Sequence, residues 1–358
     1  MAYPSAAQVI SPAIERTKLF LFKPFRMGRF LKLTLVAALV EGGSAGIGSS
    51  GGFPSGSSPN SKTTQQLPHI DWPAILHWIG EWMAVVVALV LMVFLIGILI
   101  RYLLIRLRFS YFDCVLRQQD QIGPAWSIYH RQALRYLGLS LLVELGLWIL
   151  LIPIGYALYE HFKPLIHSWM SGHSPDLWSI LPVFAVIFPL ILLLSLLAAV
   201  AEIVLSCFVL PRMALEDASI GDALGDVWGD IVREPGAFAF FTFMRLLLSL
   251  AGGFVGVVAI IVPAILIVLI GVIFALIVKS LSTAMAFVLG IPLGILAVGF
   301  LILVGIGVRG TIGTFLRNYA LLFYGGRYPI LGSMLPPPVP PRVWQPGYAP
   351  PPNPASGI

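Results

Sequence analysis

Long apolar runs dominate this chain and constrain its fold more than any other feature. Runs near residues 83–100, 137–158, 183–210, 237–278 and 284–306 each approach or exceed the roughly 20 residues that a helix needs to cross the hydrocarbon core of a bilayer. A weaker run from Phe30 to about Ile47 is a further candidate. With 58% hydrophobic and only 11% charged residues, a water-soluble core could not hide this apolar excess. The sequence predicts an all-α polytopic membrane protein with about six transmembrane helices.

The distribution of basic residues predicts how these helices are oriented. If the chain crosses the membrane six times with both termini in the cytoplasm, all but three of its 22 Lys and Arg residues lie on the cytoplasmic side. Only Lys62, Lys163 and Lys279 lie outside, as the positive-inside rule expects. This orientation also explains the net charge of +6, so we expect no nucleic-acid partner. The expected location is the bacterial cytoplasmic (inner) membrane.

The apolar run at 237–278 is long enough for one kinked span or for two tight ones. Two spans would move four arginines outside in exchange for bringing Lys279 inside, which violates the orientation rule more often than it repairs it. We therefore prefer six spans to seven. Gly252-Gly253 and Pro263 are then expected to mark a kink, a tilt or an outward protrusion.

Composition divides the chain into three expected regions. Residues 1–29 form a cytoplasmic amphipathic N-terminal segment, residues 30–328 a six-span helical membrane domain, and residues 329–358 a Pro-rich disordered cytoplasmic tail. The segment from Pro336 to Arg342 fits a PxxPxR pattern for aromatic-lined grooves, which would give the tail a protein partner. The same composition also occurs in any disordered tail.

A faint threefold repeat runs through the chain. Ile10-Ser-Pro-Ala, Ile122-Gly-Pro-Ala and Ile220-Gly-Asp-Ala each stand before a cytoplasmic segment and a pair of spans. Each motif is a predicted helix start, at which Ser11 or Asp222 can cap free amides. The helices that follow have apolar residues at helical spacing, so we expect interfacial amphipathic helices on the cytoplasmic face, against anionic lipid. The repeat is either a duplication or three similar solutions to one folding problem.

An inner-loop motif follows the fourth apolar run. It comprises Pro211, Glu216, Asp217, Asp222, Ala223, Leu224 and Trp228. This motif, together with the aromatic ending Tyr319 to Tyr324, resembles the membrane domain of some bacterial glycerophosphodiester phosphodiesterases and of related six-span proteins. The resemblance implies the membrane part without the catalytic part, because the phosphodiesterase barrel needs about 250 residues with metal-binding carboxylates.

Charged residues inside the predicted spans are the best site candidates. Glu144, Glu202 and Arg245 each lie about 9 to 15 Å from the cytoplasmic end of their helix, at 1.5 Å per residue. Because an unpaired charge at that depth is costly, we expect these side chains to face the bundle interior and to pair with one another. They would form either a substrate or proton path, or a buried ion pair that fixes helix register. Glu41 is less informative, since it falls either in mid-membrane or at the outer surface.

Other polar residues give weaker signals. Asp222, Asp226 and Asp230 recur every fourth residue on the inner helix, where like charges oppose helix formation. They are expected to face Arg131 and Arg135, to bind a cation, or to form a solvated acidic face. The outer-loop histidines His161, His167 and His173 do not share a helical face, so we expect no metal site. No phosphate-binding loop or nucleophile elbow occurs, so we expect no catalytic residues and no cofactor.

These observations favour a non-catalytic membrane protein that acts as a scaffold or regulatory partner. The alternative is a small transporter that uses Glu144, Glu202 and Arg245, and a lipid-related enzyme is the third choice. One structural property separates the first two functions. A transporter needs these charges beside other polar residues in a water-accessible cavity, whereas a scaffold allows them to be sealed by apolar packing.

Overall fold

The structure, a computed structural model, describes residues 3–42, 82–119, 121–170, 177–281 and 283–335. These residues form helices and contain no strand. The helices are α1 (Ile10–Phe22), α2 (Met27–Gly42), α3 (Met83–Arg117), α4 (Gly123–Ile128), α5 (His130–Met170), α6 (Leu177–Val204), α7 (Leu210–Glu216), α8 (Ile220–Arg233), α9 (Pro235–Leu281), α10 (Thr283–Gly325) and α11 (Pro329–Met334). A short π-helical turn, Leu205–Val209, joins α6 to α7.

Five of these helices contain segments that are long and apolar enough to cross a membrane, which confirms an all-α polytopic membrane protein. The segments are Met83–Arg117, His130–Ala157, Phe188–Glu216, Pro235–Ile277 and Val288–Gly325. Helix α9 runs unbroken for 47 residues, so its apolar run is one helix and not two. Helix α2 has 16 residues, or about 24 Å at 1.5 Å per residue, against a hydrocarbon core of about 30 Å. The count of six spans therefore stays a prediction.

The helix order repeats in threes, as the sequence motifs do. A short helix precedes two further helices in α1–α2–α3, α4–α5–α6 and α8–α9–α10, although α2, with 16 residues, is much shorter than its counterparts α5 and α9. The expected helix caps, Ser11 for the first helix and Asp222 for the third, are wrong: α1 is preceded by Val9, which makes no side-chain cap. Helix α8 is capped by Ser219, whose hydroxyl accepts from the Asp222 amide at 3.2 Å and donates to the Asp222 carboxylate at 2.6 Å. Ser219 and Asp222, the third residue of the helix, thus hold the start of α8 through one backbone and one side-chain hydrogen bond.

The packed core lies at one end of the bundle, where α1, α4, α7, α8 and α11 gather beside most of the basic residues. We call this the basic end. Its interior is aromatic, and the Phe241 and Phe323 rings stack with their centroids 4.3 Å apart. Towards the other end, the side chains of α3, α9 and α10 are mostly exposed and apolar, such as Leu89, Val268 and Leu296. Such surfaces are what lipid chains solvate in a bilayer.

The N-terminal segment is packed into the basic end and does not simply lie on the membrane surface. Asn318 of α10 donates to the Thr17 hydroxyl at 3.0 Å. The buried Arg16 donates to the carbonyls of Val115 and Leu116, at 3.2 and 2.8 Å. It thereby binds orphan carbonyls in the last turn of α3. Burial lowers the pKa of Arg16 to about 10, so it remains charged at neutral pH.

The expected start of the disordered tail at residue 329 is wrong. Residues Pro329–Met334 form helix α11, and Leu331 is fully buried. An added Cβ at Gly332 would lie 2.4 Å from the Gly325 carbonyl oxygen, so α11 folds back against the end of α10. The Pro-rich stretch from 336 onward lies outside the described residues, as does His173.

Candidate functional site: a charged cavity between the helices

The site begins with a close contact between α2 and α10. A Cβ added at Gly310 would lie 2.1 Å from the Thr34 carbonyl oxygen, and one at Gly313 would lie 2.9 Å from Cβ of Glu41. Glycine is required at such distances because any side chain would overlap the neighbouring backbone. The contact carries Glu41, near the end of α2, into the interior of the bundle.

Glu41 is shared by two buried arginines. Its Oε2 lies 3.5 Å from Nη2 of Arg245, and its Oε1 lies 3.6 Å from Nε of Arg317. Arg245 also donates to the Leu316 carbonyl at 3.0 Å, and Arg317 to the Ser206 carbonyl at 2.7 Å. Ser206 belongs to the π-helical turn, a feature often found at functional sites. The sequence did not single out this cluster, since Glu41 was ambiguous in depth and Arg317 lies beyond the last apolar run, 284–306.

The expected pairing of Arg245 with Glu202 or Glu144 is wrong. Glu202 accepts from Nη1 of Arg108 at 2.5 Å, and Glu144 pairs with Arg101. Both arginines belong to the inner part of α3, beyond the apolar run 83–100. Because α3 packs against α5 and faces the same cavity as α6, its arginines reach the glutamates first. A signal was nonetheless present, since Arg101 directly follows the apolar run of α3.

Although they pair with other residues, Glu144, Glu202 and Arg245 line one cavity. Its volume is about 650 Å³, and its walls come from α2, α3, α5, α6, the π-helical turn, α9 and α10. Further polar groups line it: Tyr136, Ser140, Ser195, Ser206 and Ser249. A polar cavity of this kind among apolar helices is typical of ligand or ion sites in membrane proteins.

The three ion pairs differ in how deeply they are buried. The side chains of Arg101 and Glu144 are 35% and 44% exposed, those of Arg108 and Glu202 are 14% and 30% exposed, and those of Arg245 and Glu41 only 7% and 4%. The first pair therefore stands at the mouth and the last at the floor. Exposed leucines surround the mouth: Leu39, Leu104, Leu192 and Leu196.

The inner-loop motif lies outside the cavity and ties the basic end together. Glu216 accepts from the Tyr328 hydroxyl at 2.8 Å, and burial raises the pKa of Tyr328 well above its usual value. Asp217 ends α7 in the left-handed region, with φ of 50°, and accepts from Arg135 at 3.1 Å. Of the other motif residues, Pro211 on α7 and Ala223 on α8 are buried, and Leu224 on α8 is half-buried. Trp228 on α8 is exposed.

The acidic helix finds its compensating charge in Arg212. The Arg212 guanidinium donates to Asp226 at 3.0 Å and to Asp230 at 2.7 Å. The expected partners Arg131 and Arg135 were therefore wrong, since Arg135 binds Asp217 instead. Within the described ranges, no three His, Cys, Asp or Glu side chains converge where a metal ion could be held. The side chains of His161 and His167 are outside that description.

Comparisons with known proteins give a family and no function. No curated protein and no solved structure matches the chain. One family model matches residues 4–334. That range includes every residue that lines the cavity and the whole inner-loop motif. The chain therefore belongs to DUF7544, a family of unknown function.

Proposed function

We propose that this chain is a non-catalytic membrane protein that takes a polar group into the charged cavity, as a small transporter or ligand-binding protein. One observation carries the proposal: three Arg–Glu pairs and four serines line an open cavity. An ion pair that only fixes helix register needs no open cavity beside it. Apolar residues packed in its place would stabilise the bundle equally well. The cavity therefore favours this function over a scaffold.

The proposed orientation places the basic end in the cytoplasm of a bacterial inner membrane. Lys18, Lys23 and Arg26 lie there beside Phe22 and Phe25, both exposed. Basic and aromatic side chains together suit the anionic surface of a cytoplasmic leaflet. Lipid is thus the proposed partner at this face, and the Pro-rich tail is a proposed protein ligand on its sequence alone.

A scaffold or regulatory role is the second candidate, and the basic end supports it. Arg327 donates to Glu234 at 3.0 Å and to the Pro4 carbonyl at 3.3 Å, so the N-terminal segment, an inner loop and the end of α10 are held together. Trp228 is exposed at the basic end, where an aromatic side chain is suited to bind a partner protein. The resemblance to a phosphodiesterase membrane domain is compatible with both candidates, because it implies no catalytic part.

Water access to the cavity tests the proposal. In a chain whose Cys114 and Cys207 are replaced by Ala, single cysteines at Ser195 and Ser249 should react with a small water-soluble thiol reagent. The matched control is Val268→Cys on α9, whose exposed side chain faces lipid and should not react, because thiolate forms poorly in hydrocarbon. If the two cavity cysteines are as unreactive as the control, the cavity is dry and the scaffold function is the better one.

A further inference from the structure

We propose that the cavity binds the head of an amphiphile with a single negative charge, as in a phosphodiester lipid, with the apolar chain leaving through the leucine-lined mouth. This inference rests on the proposed function, because it requires that a polar group enters the cavity. It adds the charge of that group and the side from which it arrives.

The charge balance of the site favours a monoanion. Four guanidinium groups and three carboxylates form the connected pairs: Arg101, Arg108, Arg245 and Arg317 with Glu41, Glu144 and Glu202. One positive charge is thus in excess. Arg317 does not itself line the cavity, but because it shares Glu41 with Arg245, the Arg245 guanidinium at the floor is only partly neutralised. An uncompensated charge is costly in a low-dielectric site, and one phosphodiester would neutralise it.

The chemistry of the floor suits phosphate. Glu144 and Glu202 each have an arginine of their own, so neither leaves an unscreened negative charge facing a ligand. Arg245 lines the floor and meets its shared carboxylate only at 3.5 Å, which is long for a charge-assisted hydrogen bond. A guanidinium presents paired donors that match phosphate oxygens. The serines along the wall add neutral donors.

The mouth suits a hydrocarbon chain. Leu39 of α2, Leu104 of α3, and Leu192 and Leu196 of α6 are all exposed around it. A water-soluble ligand gains little from an apolar rim, whereas an acyl chain would bury its surface there. The volume of about 650 Å³ lies within the range of about 300 to 1,000 Å³ of small-molecule sites. It is therefore large enough for a headgroup.

The site lies a short distance inside the headgroup layer. Arg101 follows the apolar run 83–100 on α3, whereas Arg245 lies within the run 237–278, about 12 Å from its start at 1.5 Å per residue. The charged cavity thus lies inside the hydrocarbon core, near its edge at the basic end. A lipid in that leaflet would move its headgroup inward by about this distance to reach the floor, where the charged lining replaces its water.

Native mass spectrometry of the detergent-purified full chain, titrated with lipids, tests the inference. Phosphatidylglycerol, with one negative charge, should be retained about tenfold more strongly than zwitterionic phosphatidylcholine, a difference of about 1.4 kcal/mol. Glu144→Gln, at the exposed mouth, should increase this preference, and Arg245→Gln should abolish it. Leu196→Trp should block the mouth and weaken phosphatidylglycerol binding, whereas Leu193→Trp, an exposed neighbour that does not line the cavity, should not.

Inorganic phosphate and a water-soluble phosphodiester are the competing probes. If either displaces phosphatidylglycerol at equal concentration, or if Leu196→Trp leaves binding unchanged, the ligand is not an amphiphile that uses this mouth. Equal retention of the two lipids would overturn the charge argument. In each case reactive cysteines at Ser195 and Ser249 would still support a ligand cavity. Unreactive cysteines would instead overturn the proposed function itself.

Discussion

Gly310 of α10 lies so close to Thr34 of α2 that a Cβ added to the glycine would be 2.1 Å from the threonine carbonyl oxygen. The Thr34 side chain turns back to its own helix and donates to the Phe30 carbonyl at 2.8 Å, so its hydroxyl is satisfied within α2. This contact fixes the position of α2. It is also the reason that Glu41, two helical turns further along, reaches Arg245 and Arg317.

Replacing Gly310 with Ala should therefore disrupt the contact between α2 and α10. Because the overlap is with backbone and not with a movable side-chain end, the cost should be at or above the upper end of the roughly 1 to 3 kcal/mol typical of overpacking. Gly299→Ala on the same helix is the control, since an added Cβ there meets nothing within 4 Å. Thermal aggregation followed by size-exclusion chromatography in detergent should separate the two variants. Equal stability would show that α2 can move away without loss.

The buried and exposed carboxylates of the cavity should differ sharply in their contribution to stability. Glu41→Gln leaves two buried guanidinium groups without a carboxylate and should cost about 3 to 5 kcal/mol. Glu144→Gln breaks a pair that is a third or more exposed and should cost about 0 to 1 kcal/mol.

Double replacements test which carboxylate is the partner of Arg245. Changing Glu41 and Arg245 together to Gln and Met should recover part of the loss, whereas combining Arg245→Met with Glu202→Gln should give only the sum of the single changes. Coupling between Arg245 and Glu202 in chemical denaturation would contradict the pairing described above.

Arg212 should be needed to keep α8 on the basic end. Arg212→Met removes the cation that binds Asp226 and Asp230, and repulsion between carboxylates four residues apart should then loosen the helix. Limited proteolysis of the purified protein should cleave near α8 several-fold faster. Arg233→Gln is the control, because Arg233 is largely exposed and 3.8 Å from Asp230. Similar cleavage of both variants would mean that Arg212 is not the main restraint.

The orientation of the basic residues gives a topology prediction. Single cysteines at Ser57 and Ser171 should label with an impermeant reagent in intact cells, while cysteines at Gln119, Gly225 and Ser333 should label only after permeabilisation. Ser333 belongs to α11 and is exposed, so its labelling reports the side on which the C-terminal region lies. Labelling of Ser333 in intact cells would contradict six spans with both termini in the cytoplasm.

The purified chain should have no phosphodiesterase activity. Such hydrolysis needs a positioned divalent metal or an acid and base pair around the phosphate, whereas Asp226 and Asp230 bind Arg212 and Asp222 binds Ser219. Incubation with glycerophosphodiesters and Mg²⁺, Ca²⁺ or Zn²⁺ should release no glycerol phosphate above a protein-free control. Turnover that disappears when these three aspartates become Asn would place the chain among enzymes.

The fold class and the main site candidates were predictable from local composition. Transfer of a segment into hydrocarbon depends on the residues of that segment, so the apolar runs at 83–100 and 237–278 identified long helices directly. For the same reason, Glu144, Glu202 and Arg245 stood out as isolated charges in apolar surroundings, and all three line the cavity.

The partners of those charges were decided by tertiary structure alone. Position along a helix tells how deep a side chain lies, but not which helix stands beside it. Arg108 reaches Glu202 because α3 and α6 face the same cavity, and Glu41 reaches Arg245 and Arg317 because Gly310 lets the α2 backbone come close to α10. Partition into the membrane is a nearly additive property of local sequence, whereas ion pairing depends on the rotation and packing of helices that are far apart in the chain.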